Sequence, residues 1–265
     1  MLSITDQTGR PLSLRDHPQR IISLVPSQTE LLHAIGLEDE VVGITKFCIH
    51  PASWFRSKIK VGGTKKINFN QVHALHPDLI IANKEENEKG QVEKLAEDYP
   101  VWVSDIHHLK DALNMINTIG YLTGKTARTG LLKERIRTAF SELPSRQYKI
   151  KTAYLIWQNP YMTIGGDTFI SAMLQEAGFE NIFSSRTRYP VISIDELIER
   201  EPELVLLSSE PYPFSEKHIS PLQKLMPKTK IACADGEMFS WYGSRLEQAP
   251  AYFNKLYKAL QGSFS

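Results

Sequence analysis

The sequence is poor in cysteine. Among 265 residues there are two, Cys48 and Cys233, far apart in the chain. That excludes a disulfide framework and a cysteine metal site, and leaves two buried or half-buried thiols. A charge excess of either sign is also lacking: 31 Lys and Arg face 30 Asp and Glu, for a net +1. Such a balance gives no reason to expect nucleic acid or an anionic membrane as partner. No apolar run is long enough to span a bilayer. The opening residues MLSITDQTGRPLSL have neither the charged nor the apolar region of an export signal. The expectation is a cytoplasmic protein, or one whose leader has been replaced. Catalytic signatures are missing too. GGTK and TIGGDT are glycine-rich, yet no GxxxxGK[ST], GxSxG or HExxH occurs. Glu85 and Glu86 are adjacent, which points them apart on a strand or loop. No catalytic residue, resident metal or required cofactor is expected, and the chain is read as not an enzyme.

What the sequence does have is apolar content, 42%, enough for sizeable cores in two domains. SITD and PLSL flank QTGR as a hairpin. A strand-then-helix rhythm follows: RIISLV, then QTELLHAIG with Ser27 as N-cap, Glu30 completing a capping box and Gly36 as terminator. VVGIT, DLIIAN and PVWVS are further strands, QVEKLAEDY and LKDALNMINTIGYLTG further helices. Residues 125–143 read as one long, charged helix with a narrow buried face. Strands and helices then resume with KTAYLIW, TFISAMLQEAG, ISIDELIER, ELVLLS, KIACAD and LEQAPAYFNKLYKALQ. Alternating β and α with near-continuous apolar strands predicts an α/β protein with parallel sheets covered on both faces. The expected organisation is an N-terminal α/β lobe at 1–123, a connecting helix at 124–146 and a C-terminal α/β lobe at 147–265.

Ligands of open α/β sheets sit beyond the carboxyl ends of the strands, so the loops there carry the function. They are PSQT with Ser27, KFCIHPASW with Phe47, His50 and Trp54, NKEEN with Asn83 and Asn87, QNPYMTIGGDT with Tyr161 after Trp157, SEPYPF with Tyr212 and Phe214, and DGEMFSWYGSR with Phe239, Trp241, Tyr242 and Arg245. The last stretch, with two glycines and two serines among its aromatics, reads as a loop offering large rings to a ligand.

Three segments, RIISLVPSQTELLHAIGLEDEVVGITKFCIHP, VGGTKKINFNQVHALHPDLIIANKEEN and PYMTIGGDTFISAMLQEAGFENIF, resemble the helical-backbone (class III) substrate-binding proteins of ABC importers, most of all their vitamin B12-binding branch. The resemblance covers nearly the whole chain. It implies two Rossmann-like lobes joined by one long helix, a ligand between them, a periplasmic or otherwise extracytoplasmic setting, and a monomer that spans no membrane, binds no nucleic acid and delivers its ligand to a permease. Docking in this family uses a carboxylate on each lobe. The matching positions here are Asn70, an amide that cannot form the charge pair, and Asp195 with Glu196 beside it.

The family binds corrinoids, ferric siderophores, haem or bare metal. A bare metal needs three or four His, Asp or Glu ligands. The loops offer His50, Glu85, Glu86 and Glu237, with His107 and His108 after PVWVS, but no close His pair at ligand spacing. An anionic siderophore needs cations, for which Arg186, Arg188, Arg245, Lys46 and Lys65 are candidates. A corrinoid is a plate with apolar faces and an amide-rich rim, suited by aromatics and by Asn, Ser and Thr. The residues favour a cobalt corrinoid, stacked by Trp54, Tyr161 and Trp241, with a ferric chelate, or a cytoplasmic corrinoid- or metal-handling role without transport, as the alternatives.

Overall fold

A computed structural model describes residues 1–262. The chain divides into two compact units. Unit 1 is Met1–Ile106, Lys110–Arg135 and Tyr242–Arg245; unit 2 is His107–Leu109, Ile136–Trp241 and residues 246–262.

Unit 1 opens with the antiparallel hairpin β1 (Leu2–Thr5) and β2 (Pro11–Leu14). Its turn is closed by Asp6, whose Oδ1 accepts from the Thr8 and Arg10 N–H groups at 2.9 Å each. Then come β3 (Ile21–Ser23), α1 (Pro26–Ala34), β4 (Val41–Ile44), α2 (Ala52–Ser57), β5 (Ile59–Lys60), α3 (Phe69–Leu75), β6 (Leu79–Asn83), α4 (Lys89–Asp98), β7 (Val101–Ser104) and α5 (Leu109–Leu122). The five strands pair in parallel in the order β5-β4-β3-β6-β7. β6 and β7 are buried at every residue, as strands covered on both faces must be. Ile22, Leu24, Val72, Ile80 and Val92 form the core on one face.

The helix start differs from the sequence expectation. α1 begins at Pro26, with Val25 at the N-cap position and no side-chain cap. Proline has no N–H to satisfy and a φ already suited to the first helical position, so no capping box is needed. Ser27 lies buried inside the first turn.

Helix α6 (Thr126–Ser141) buries Thr129, Leu132, Ile136 and Phe140, a stripe at helical spacing on an otherwise charged surface. The division between the units falls inside it, after Arg135.

Unit 2 contains β8 (Ile150–Leu155), α7 (Phe169–Glu176), β9 (Phe179–Asn181), α8 (Ile194–Glu199), β10 (Leu204–Ser208), α9 (Ile219–Leu225), β11 (Lys230–Ala234), α10 (Gly236–Ser240) and α11 (Ala249–Gln261). Its parallel sheet runs β11-β10-β8-β9. Thr168 caps α7 and Ser193 caps α8, each hydroxyl accepting a backbone N–H, at 3.2 and 3.0 Å. The glycines of TIGGDT serve close backbone packing. A Cβ on Gly165 would stand 2.4 Å from the Arg186 carbonyl oxygen, and one on Gly166 would stand 2.2 Å from that of Ser184.

DGEMFSWYGSR is a short helix and a turn rather than an open loop. Asp235 caps α10 by accepting from the Glu237 N–H at 3.1 Å. Phe239 has no exposed surface: its ring stacks on Phe253 at 4.7 Å and meets the edge of Tyr154 at 5.3 Å. It is a core residue of unit 2. Trp241 and Tyr242 are likewise buried.

Candidate functional site: the loop edges of the two sheets

In unit 1 the loops beyond β3, β4, β6 and β7 are held by side chains that bond to one another. Asn83, at the end of β6, is buried and fully engaged. Its Oδ1 accepts from the Glu85 and Glu86 N–H groups at 2.9 and 3.0 Å, while Nδ2 donates to the Ser104 hydroxyl and carbonyl at 2.9 and 3.2 Å. Asn87 accepts from the Asn83 N–H at 2.9 Å and donates to the Thr64 and Leu24 carbonyls at 3.0 and 3.3 Å. Gln28 donates to the Ser104 hydroxyl at 2.5 Å. Four donors and acceptors of one asparagine are thus spent on shaping the loop, so Asn83 is a clamp and not a ligand group. Cys48 is also internal. Thr29 donates to its sulfur at 3.1 Å, Thr45 lies at 3.2 Å, and burial pushes the thiol pKa up.

Trp54 does not present a face. It is fully buried in α2, with its indole N–H donating to Glu38 at 2.6 Å and its ring edge-on to His33 at 5.2 Å. Phe47 does: its ring is 51% exposed, with the Lys46 ammonium 5.1 Å from its centre. His50 is half-buried nearby in sequence. Glu86 is half-buried, and its carboxyl pKa is raised, by burial first and by neighbouring Glu85, against the opposing pull of Lys65.

Arg245, carried back into unit 1 by the segment Tyr242–Arg245, is not a free cation. It grips Glu30 of α1 with two hydrogen bonds of 2.6 and 3.2 Å. Gly243 lies against the same helix, where a Cβ would come within 2.5 Å of the Ser27 carbonyl oxygen.

In unit 2 the loops beyond β8 and β10 bring aromatics to the surface. Trp157 is 39% exposed and meets Tyr212 edge-on at 5.6 Å. The Tyr212 hydroxyl donates to Gln158 Oε1 at 2.9 Å, and Gln158 Nε2 donates to the Tyr161 hydroxyl at 3.2 Å. Three rings and an amide therefore form one connected, half-exposed surface. The Gln158 link is absent from the sequence reading; a glutamine between two tyrosines leaves no periodic signal. Trp241, in contrast, lies buried with its indole N–H donating to Glu210 at 3.0 Å.

The other positions resolve as follows. Asn70 is exposed on α3 and Asp195 is exposed on α8. Glu196 is held by Arg186 at 2.5 Å and Arg200 at 3.3 Å. His107 Nδ1 lies 2.7 Å from the Asp167 carbonyl oxygen. Among the described residues no group of three or more His, Cys, Asp or Glu could hold a metal ion, and no helix is long and apolar enough to cross a membrane.

Known proteins share this fold. The Vitamin B12-binding protein of Vibrio parahaemolyticus is 27% identical over 203 residues, covering 74% of each chain. The crystal structure of the periplasmic vitamin B12 binding protein of Vibrio cholerae superposes with a TM-score of 0.76 at 20% identity, over 92% of this chain and 98% of that one. The periplasmic haem-binding protein of the same organism gives 0.75 at 22% identity, over 90% and 99%. At those identities the two structures establish the fold. The family model described as periplasmic binding protein matches residues 21–227, most of the chain, and this protein belongs to that family.

Proposed function

We propose that this protein is the ligand-receiving component of an ABC importer, working outside the cytoplasm, and that its cargo is a cobalt corrinoid. The observation that carries the cargo is the connected aromatic surface of Trp157, Tyr161 and Tyr212, which suits a large plate with apolar faces and amide edges. The names of the curated relatives support the same reading.

Charge pairing weighs against an anionic siderophore. Arg186 is committed to Glu196 and Arg245 to Glu30, which removes two of the cations such a ligand would need. Haem or a ferric chelate is the second reading, favoured by the haem-binding neighbour.

Delivery to the permease would fall mainly on Asp195. Asn70 carries no charge, and Glu196 is already paired within unit 2. The protein would act as a monomer. Titration with cobalamin, followed by visible absorption and calorimetry, tests the cargo. Saturable one-to-one binding is expected. Absence of heat with any corrinoid, together with tight binding of haem or a ferric siderophore, would replace it with the second reading.

A further inference from the structure

The net charge of +1 conceals a segregation along the chain. Residues 41–77 hold six cations, Lys46, Arg56, Lys58, Lys60, Lys65 and Lys66, and no Asp or Glu. Within this region three large apolar side chains stand out of the surface in eleven residues: Ile49 at 46% exposure, Phe55 at 39% and Ile59 at 44%. They come from the loop after β4, from α2 and from β5, the two-residue strand at the open edge of the unit 1 sheet.

The cations are placed beside these apolar groups in fixed positions. Lys60 Nζ donates to the Phe55 and Lys58 carbonyls at 2.6 Å each and lies 5.0 Å from the centre of the Phe55 ring. Lys58 lies 5.1 Å from the Trp54 ring and donates to the Glu38 carbonyl. The Glu38 carboxylate is taken up by the Trp54 indole. Buried Trp54 anchors the protruding stretch to the body of the unit.

We propose that residues 49–60 form a contact surface for an anionic lipid bilayer. Phe55, followed by Arg56 and covered by Lys60, and Ile59, between Lys58 and Lys60, pair a protruding apolar side chain with cations whose stems are apolar and whose heads are charged; with Ile49 protruding beside them, they match the boundary between acyl chains and anionic headgroups. A fluid bilayer accepts scattered protrusions, whereas a protein partner requires a matched surface of about 800 Å² on each side. The inference holds whichever cargo the protein carries, and it rests on the local distribution of charge, where the balanced net charge gives no reason to expect an anionic membrane.

Co-sedimentation of the full chain with vesicles of phosphatidylcholine, with and without phosphatidylglycerol, tests it. Binding to the phosphatidylglycerol vesicles should be at least about ten-fold tighter than to neutral ones and should fall steeply with salt. Arg56→Gln should weaken it about five-fold. The double change Phe55→Ser, Ile59→Ser should weaken it about ten-fold or more. Cobalamin binding and the thermal melt of both variants should match wild type, which separates this failure from failure of the cargo reading. Equal binding to neutral vesicles, or unchanged binding by both variants, overturns the proposal. So does retention by permease-containing vesicles alone, which would assign the surface to an acidic protein partner.

Discussion

Unit 1 closes the loop beyond β6 with buried amides, and unit 2 closes the loops beyond β8 and β10 with half-exposed rings. Asn83 and Asn87 direct their hydrogen bonds to neighbouring backbone, so their amides face inward and are not offered to the surroundings. Trp157, Tyr161 and Tyr212 spend part of their area on each other and leave the rest uncovered. The contrast separates two jobs that residue type alone confuses. An asparagine at a loop can be scaffolding, and an aromatic at a loop can be core.

The sharpest way to break the contrast is Phe239→Ala. If this ring is core, as its stacking on Phe253 says, the protein should lose about 3–5 kcal/mol in urea denaturation. A loss below about 1 kcal/mol would return it to the set of exposed aromatics. Asn83→Ala comes next. It strips the Glu85 and Glu86 N–H groups of their acceptor and should cost about 2–3 kcal/mol by the same measurement. Trp157→Ala should do the reverse: stability within about 0.5 kcal/mol, corrinoid affinity down by about 1–3 kcal/mol in calorimetry.

The smallest effect concerns Glu86. Its pKa is raised in the folded protein, so the folded state holds the proton more tightly than the unfolded chain. Stability then falls as pH rises from the unfolded value, about 4.3, through the folded one, and the deficit persists above that window. Glu86→Gln removes the deficit. Its melting temperature should exceed that of wild type at pH 7 by up to about 3 °C and should converge with it near pH 4. A constant difference across that range would show that the carboxyl does not titrate as its surroundings imply.

Much of the fold is legible in the chain because its strands are buried on both faces and so appear as apolar runs, as at Leu79–Asn83 and Leu204–Ser208. The helix caps are less legible: Ser27, which the pattern marks as a cap, lies inside the first turn because Pro26 takes the first helical position. Ile59–Lys60 is not legible, since two residues carry no periodicity and their pairing is decided by β4. The site is less legible than the fold. Whether Trp54 or Trp157 shows its ring depends on partners distant in sequence, Glu38 for one and Tyr212 for the other. The resemblance to a binding-protein family directs attention to the strand ends, and sorting scaffold from surface there required the hydrogen bonds.

The return of Tyr242–Arg245 to unit 1 bears on how such a chain can be recombined. A single crossover inside α6 would pair one parent's Glu30 with the other parent's Arg245. Grafting the two halves as cassettes therefore carries a four-residue debt at the far end of the gene. A chimera needs a second exchange around Gly243 to keep the α1 contact matched to its own helix.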